Sequence, residues 1–210
     1  LFGGLISKVE MIHERWGYQI TIQGISSTIQ IDCEKKNRTF QNSNSTYQEV
    51  MREVLKDTSG AGLNFYASDR KIGSPLYQIE ETDWEFIKRL ASHLETAVVP
   101  NALMERPEVS IGLSEGRIYN QDSLNGYGER VWFDKEKKSV CRRIRTCEDL
   151  RLGERVKWEG LTLTITEKSC RLEKGLLSFR YVLAAKGGFF TGRYENPDAY
   201  DRLLPARVLD

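Results

Sequence analysis

The chain has 210 residues, 40% of them hydrophobic, with 31 Lys or Arg against 30 Asp or Glu and a formal charge of +1. That length holds one sizeable core or two small ones, and the balanced charge provides no global basic field for nucleic acid or an anionic membrane. No run approaches the roughly 20 consecutive apolar residues of a membrane span, and neither the charged nor the apolar region of a signal peptide is present.

Residues 1–33 read as two strands. Leu5, Val9 and Met11 keep one phase and Ile6 and Ile12 the other, which predicts partial burial on both faces, with a turn at Glu14 to Gly17. Trp16, Tyr18, Ile20 and Ile22 are even-numbered whereas Ile25, Ile29, Ile31 and Cys33 are odd, so Gly24 is expected to mark a bulge or bend in a strand that runs on to Cys33.

From Arg38 to about Asn101 the pattern mixes helix and strand. Thr46 and Glu49 have the spacing of a reciprocal helix cap, and Tyr47, Val50, Met51, Val54 and Leu55 follow on one helical face. Ser59 to Gly62 ends that helix, a strand follows around Leu63 to Ala67, and Gly73-Ser74-Pro75 turns the chain into another. Thr82 and Glu85 repeat the cap. Behind them Trp84, Ile87, Leu90, Ala91 and Leu94 form an apolar stripe, with Glu85, Lys88, Arg89 and Glu95 expected to face elsewhere.

After Pro107 the chain is strand-rich. Glu108 to Leu113, Arg117 to Asn120, Arg130 to Phe133 and Ser139 to Cys147 are short strands; then Arg155 to Trp158, Leu161 to Lys168 and Leu176 to Ala185, joined by turns at Glu159-Gly160 and Glu173 to Gly175, predict a meander or small barrel. Lys135, Lys137, Lys138, Arg142, Arg143 and Arg145 crowd one stretch and read as a solvated strand edge protected by its charges.

Cys33, Cys141, Cys147 and Cys170 lack Cys-x-x-Cys spacing, and only His13 and His93 are available to join them, so no zinc site is expected and the thiols read as free and buried. His93 reads as a surface or boundary residue of its helix. Trp16, Tyr18, Trp132 and Trp158 lie on strand phases that point into a core.

The segment Glu80 to Ala91, in which an acidic residue, Asp83, Trp84, Phe86-Ile87 and Arg89-Leu90-Ala91 follow an extended run, resembles contractile-tail baseplate hub proteins: the phage late control protein D and the trunk of the type VI secretion spike protein, valine-glycine repeat protein G. Two further stretches resemble the same family. They are Arg38-Thr39-Phe40 leading into a helix ending Val54-Leu55, and the opening Phe2-Gly3-Gly4-Leu5-Ile6-Ser7-Lys8-Val9. Arg38, Phe40, Trp84, Phe86 and Leu90 are the matching structural positions; the resemblance supplies no catalytic, cofactor-binding or metal residues, and no cofactor.

The fold class expected is α+β, mainly β, with two small β-barrel-like regions flanking a two-helix α/β subdomain: 1–35 as strands of a first barrel that need not be complete, 36–107 as the α/β subdomain, 108–187 as the second barrel region and 188–210 as a linker toward a spike-stem domain. The resemblance implies a non-enzymatic hub that joins the tail tube to the central spike. It implies a homotrimer with pseudo-sixfold symmetry whose partners are itself, the tail tube protein, the spike or spike-stem domain and other baseplate proteins, with no specific nucleic-acid or membrane binding. The location implied is the virion tail baseplate, assembled in the bacterial cytoplasm. Leu1, directly in strand-like sequence, and the ending Leu203 to Asp210 are read as marking a piece of a larger polypeptide.

The competing readings are a tail-associated cell-wall glycoside hydrolase, with Glu80, Glu81, Asp83 and Glu85 as an acidic cluster, and a carbohydrate-binding module using the tryptophan and tyrosine faces. His-Glu-x-x-His, Walker-type and Rossmann-type patterns are absent from the sequence.

Overall fold

Both helix caps form as their spacing dictates. Thr46 accepts from the Glu49 N–H while Glu49 accepts from the Thr46 N–H, and the Thr82 and Glu85 pair does the same. Helix α1 (Tyr47–Leu55) and helix α2 (Asp83–His93) start there because two otherwise free N–H groups are satisfied at each end.

The computed structural model describes residues 2–135, 138–185 and 191–197, and the protein is mainly β. The described residues divide into two compact units: 2–94, 98–111 and 193–197 in the first, and 95–97, 112–135, 138–185 and 191–192 in the second. The expected linker from 188 to 210 lies mostly outside the described residues, as does Lys137.

The first unit opens with a hairpin of β1 (Leu5–Glu14) and β2 (Gly17–Ile25), closed by a two-residue loop at Arg15 and Trp16. Burial on both faces was expected; instead every residue of both strands is exposed, because among the described residues no further strand pairs with either edge and no element covers either face. Trp16 (94% exposed) and Tyr18 therefore do not point into a core. The expected bulge lies in β1, between Ile6 and Lys8, opposite the Gly24 position. A Cβ at Gly24 would meet the Phe2 ring at 2.9 Å, so the ring lies closely over this glycine.

Nor does the strand run on to Cys33. Ser26 accepts from the Thr28 N–H and starts a short 3₁₀ helix, Ser27–Asp32, that turns Ile31 into the core and leaves Cys33 exposed. The remaining strands are β3 (Lys35–Phe40), antiparallel to β5 (Leu76–Thr82), and β4 (Gly62–Phe65), which lies parallel to β7 (Glu108–Ile111), itself antiparallel to β6 (Val98–Pro100). One core joins α1, α2 and these sheets around Met51, Val54, Phe86, Ile87, Leu90 and Ile111, all fully buried.

The second unit is a six-stranded sheet in the order β8 (Ile118–Asn120), β11 (Arg155–Trp158), β12 (Leu161–Glu173), β13 (Leu176–Ala184), β10 (Ser139–Thr146), β9 (Tyr127–Asp134). All neighbours are antiparallel except β8 and β11. The sheet ends at β8 and β9, and among the described residues no sheet closes on itself, so the two barrel-like regions are open sheets here. Its core gathers Leu124, Ile144, Leu150, Val156, Trp158, Leu163, Ile165, Phe179, Tyr181 and Leu183.

Strand β10 is internal rather than an edge. Arg142 stacks on Trp158 (5.4 Å), Arg143 and Arg130 on Trp132 (both 5.7 Å), and Arg145 pairs with Glu129 (2.9 Å), so the arginines of this basic stretch are half-buried structural charge, while Lys135 and Lys138 are exposed ahead of the strand. Of the cysteines only Cys141 is buried; Cys147 follows β10, Cys170 lies on β12, and both are exposed.

Tyr181 ties the sheet to the loop after β10, donating to the Glu148 carbonyl (2.9 Å) and accepting from the Leu150 N–H (2.7 Å); burial pushes its pKa up. Tyr181→Phe leaves that N–H unsatisfied and is expected to cost about 1–3 kcal/mol in urea unfolding. An unchanged midpoint would show that the bond contributes nothing.

Candidate functional site

Strand β5 bulges against β3: Lys36 pairs with Glu81 and Arg38 with Gln78, so Asn37 faces both Ile79 and Glu80. Glu80 takes the left-handed conformation (φ 49), and Asn37 holds it, accepting from the Glu80 N–H (3.1 Å) and donating to its carboxylate (2.9 Å). A bulge re-aims the side chains that follow it. Here it lets Gln78, Glu81 and Asp83 converge beneath α2.

Their partners are supplied by three elements. Arg38 donates to Gln78 (2.9 Å), Asp57 (2.8 Å) and Asp83; Lys36 reaches Asp83 (2.9 Å) and Asp57 (3.0 Å); Gln78 donates to Asp83 (3.1 Å) and the Glu81 carbonyl (2.9 Å). Arg89 forks onto Glu81 with bonds of 2.8 and 2.7 Å and caps the Tyr77 carbonyl at 2.5 Å. Three cations thus face three carboxylates. Burial alone would lower the pKa of Lys36, but its bonds to Asp83 and Asp57 raise it; the same bond holds Asp57 below the usual carboxylate range.

This arrangement explains why α2 is not the amphipathic helix its pattern predicts. Asp83, Phe86, Ile87, Arg89, Leu90, Ala91, Ser92 and His93 are all buried, so the stripe is nearly a full circle, and Arg89 does not face away. Charged groups enter the interior because each meets an opposite charge in hydrogen-bonding geometry.

Of the family-matching positions, four are brought together. Arg38 lies over the Phe40 ring (6.0 Å), Phe40 stacks on Phe86 (5.6 Å), and Leu90 is buried in the same core. Trp84 is half-buried and packs on that core from its margin. The acidic cluster is fully engaged: Glu81 and Asp83 in ion pairs, Glu85 in the cap, Glu80 with Asn37.

His93, expected at the surface, is buried at the end of α2. Its Nδ1 lies 3.3 Å from the Tyr47 hydroxyl and its Nε2 3.8 Å from Glu195. Beside it, the chain at 193–197 is fastened by the Tyr194 N–H to Ser92 (2.9 Å) and by Asn196 to the Ile79 carbonyl (2.8 Å). Burial first, then the Arg193 charge, lowers the pKa of His93. Sequence reasoning missed it because the covering segment lies a hundred residues downstream.

Among the described residues no group of three His, Cys, Asp or Glu side chains is placed to hold a metal ion. A shallow depression in the second unit is lined by Gln121, Asp122, Asn125, Gly126 and Trp158, without a nucleophile and base in partnership. The prominent features are thus a charge-locked core and an uncovered hairpin.

This fold is found among solved phage tail proteins. The chain is similar to the tail protein from Neisseria meningitidis MC58 (10% identity, 89% of this chain and 80% of that chain covered, TM-score 0.63). It is also similar to the 43 kDa tail protein of prophage MuSo2 from Shewanella oneidensis (12% identity, 89% and 77% covered, TM-score 0.67). At such identity the likeness is one of fold. No protein-family model matches the sequence, and no curated protein does.

Arg89→Met strands the Glu81 carboxylate and is expected to destabilise the first unit by about 3–5 kcal/mol, whereas Glu81→Leu with Arg89→Met costs less than the two single changes added together. Additive costs in denaturant unfolding would mean that the pair does not act as a unit. For His93 the folded pKa is depressed, so its contribution to stability is complete above the unfolded value near 6.5 and falls as pH drops below it. The melting temperature is expected to fall between about pH 7.5 and about pH 5.5, and to fall less in His93→Gln; equal slopes would contradict the assignment.

Proposed function

We propose that this chain is a structural component of a contractile phage or prophage tail, serving as the baseplate hub that joins the tail tube to the central spike. The observation that carries the reading is the fold shared over 89% of the chain with two phage tail proteins. The residues resembling the hub family add to it: Arg38, Phe40, Phe86 and Leu90 are neighbours in one core, and Asp83 and Arg89 anchor the helix on which that resemblance is centred.

In this reading the chain is a homotrimer. Three copies, each with two tube-facing regions, present six surfaces and so bridge a threefold spike and a sixfold tube. Its partners are the tube protein, the spike or spike-stem domain and neighbouring baseplate proteins, and its location is the virion tail baseplate, after assembly in the bacterial cytoplasm. The role is mechanical rather than catalytic. Engagement of Glu80, Glu81, Asp83 and Glu85 in structural bonds supports a scaffold over a glycoside hydrolase, whose general acid and base must be free to meet a sugar.

Light scattering over a dilution series, with electron-microscope projections, tests this. The expected result is three chains per particle and a ring with near-sixfold features. A particle of one or two chains at every concentration, or a trimer without such a ring, contradicts the hub.

A further inference from the structure

The β1–β2 hairpin has a patterned surface that nothing among the described residues covers. Its register pairs Ile6 with Gly24, Val9 with Ile22, Met11 with Ile20 and His13 with Tyr18, and the bulge after Ile6 keeps these pairs on one face. That face therefore carries Ile6, Val9, Met11, Tyr18, Ile20 and Ile22, each between 60% and 70% exposed. The opposite face carries Lys8, Glu10, Glu14, Gln19, Thr21 and Gln23, with Ile12 among them and the Leu5–Ile25 pair at its root, and Lys8 and Glu10 pair along it at 2.6 Å.

Such alternation belongs to a sheet with one side on a core and one in water. The water side is present; among the described residues nothing supplies the core side.

We propose that the apolar face of the β1–β2 hairpin docks on a second copy of this chain, against the exposed face formed by Val131, Phe133 and Val140. This deepens the trimer of the proposed function and rests on it. Three observations select a second copy as the occupant. First, an isolated two-stranded ribbon is marginal in water, so its cover must be present whenever the chain folds, as an identical chain always is.

Second, six large side chains exposed to this degree offer on the order of 600 Å² of apolar surface, the upper end of what monomers expose and close to one partner's share of a stable interface. Third, the chain carries a matching surface. Phe133 and Val140 are a cross-strand pair with Val131 on the same face, they are 61%, 45% and 52% exposed, and they lie on β9, an edge of its sheet, and its neighbour β10. A contact between unlike surfaces is the kind that builds a ring when its rotation closes, as a trimer requires.

The test measures molar mass by light scattering across a dilution series for four proteins: the parent, Met11→Lys/Ile20→Glu, Ile12→Lys/Gln19→Glu and Phe133→Glu. The first double variant places opposite charges on a directly opposed pair, so the hairpin stays paired while its apolar face is destroyed; the second places the same charges on the polar face. The expected result is association by the parent and Ile12→Lys/Gln19→Glu, with Met11→Lys/Ile20→Glu and Phe133→Glu reduced to single chains over the same range and all four sharing the thermal transitions of the two units. Association of Met11→Lys/Ile20→Glu at parental strength overturns the hairpin as the interface and leaves the trimer standing, and parental association of Phe133→Glu overturns the assigned receiving face. A parent that stays a single chain at every concentration overturns the proposal and the trimer together, and a hairpin face that instead proves necessary for binding a tube protein assigns it to that partner.

Discussion

Asp83 sits 1% exposed at the first turn of α2, its carboxylate held by Arg38 and Lys36 from β3 and by Gln78 from β5. An unpaired carboxylate at that depth would cost several kcal/mol, so the first unit is stable only when β3, β5 and α2 are assembled together. The left-handed Glu80 makes this geometry possible. Without the bulge, the strand alternation would turn Glu81 and Asp83 away from their cations. Arg89, forked on Glu81 one helical turn from Phe86, extends the same tie into the hydrophobic core.

The rest of the first unit hangs on that tie, except the hairpin. Among the described residues its strands are held by each other and at their root, where the Gly3 N–H donates to the Ala102 carbonyl (2.8 Å) and Phe2 packs over Gly24. The first unit thus combines a charge-locked body with a ribbon whose apolar face is left uncovered by the described residues.

What was legible in the sequence was local. The reciprocal caps at Thr46/Glu49 and Thr82/Glu85, the apolar face of α1 and the turns of the second unit's long hairpins are set by contacts within a few residues, and the chain spells them out. What failed depended on distant chain. Arg89 reads as a solvent-facing charge unless the bulge that brings Glu81 to it is known, and His93 reads as exposed unless residues 193–197 are seen to return over it. The hairpin fails in another way: strand periodicity reports that a face is meant to be covered, and is silent about which molecule covers it. The arginines of β10 look like edge protection because stacking on Trp132 and Trp158 leaves no mark on spacing.

On the proposed docking, the hairpin completes its fold only in the assembly, while the charge-locked unit is complete in the single chain. Backbone hydrogen exchange on the parent protein, followed residue by residue at concentrations below and above the onset of association, tests this most directly. The account predicts slow exchange across β5 and α2 at both concentrations, and rapid exchange in β1 and β2 that becomes slow only where the chain associates. Hairpin amides equally protected in the single chain, or still rapid in the assembled particle, would contradict it.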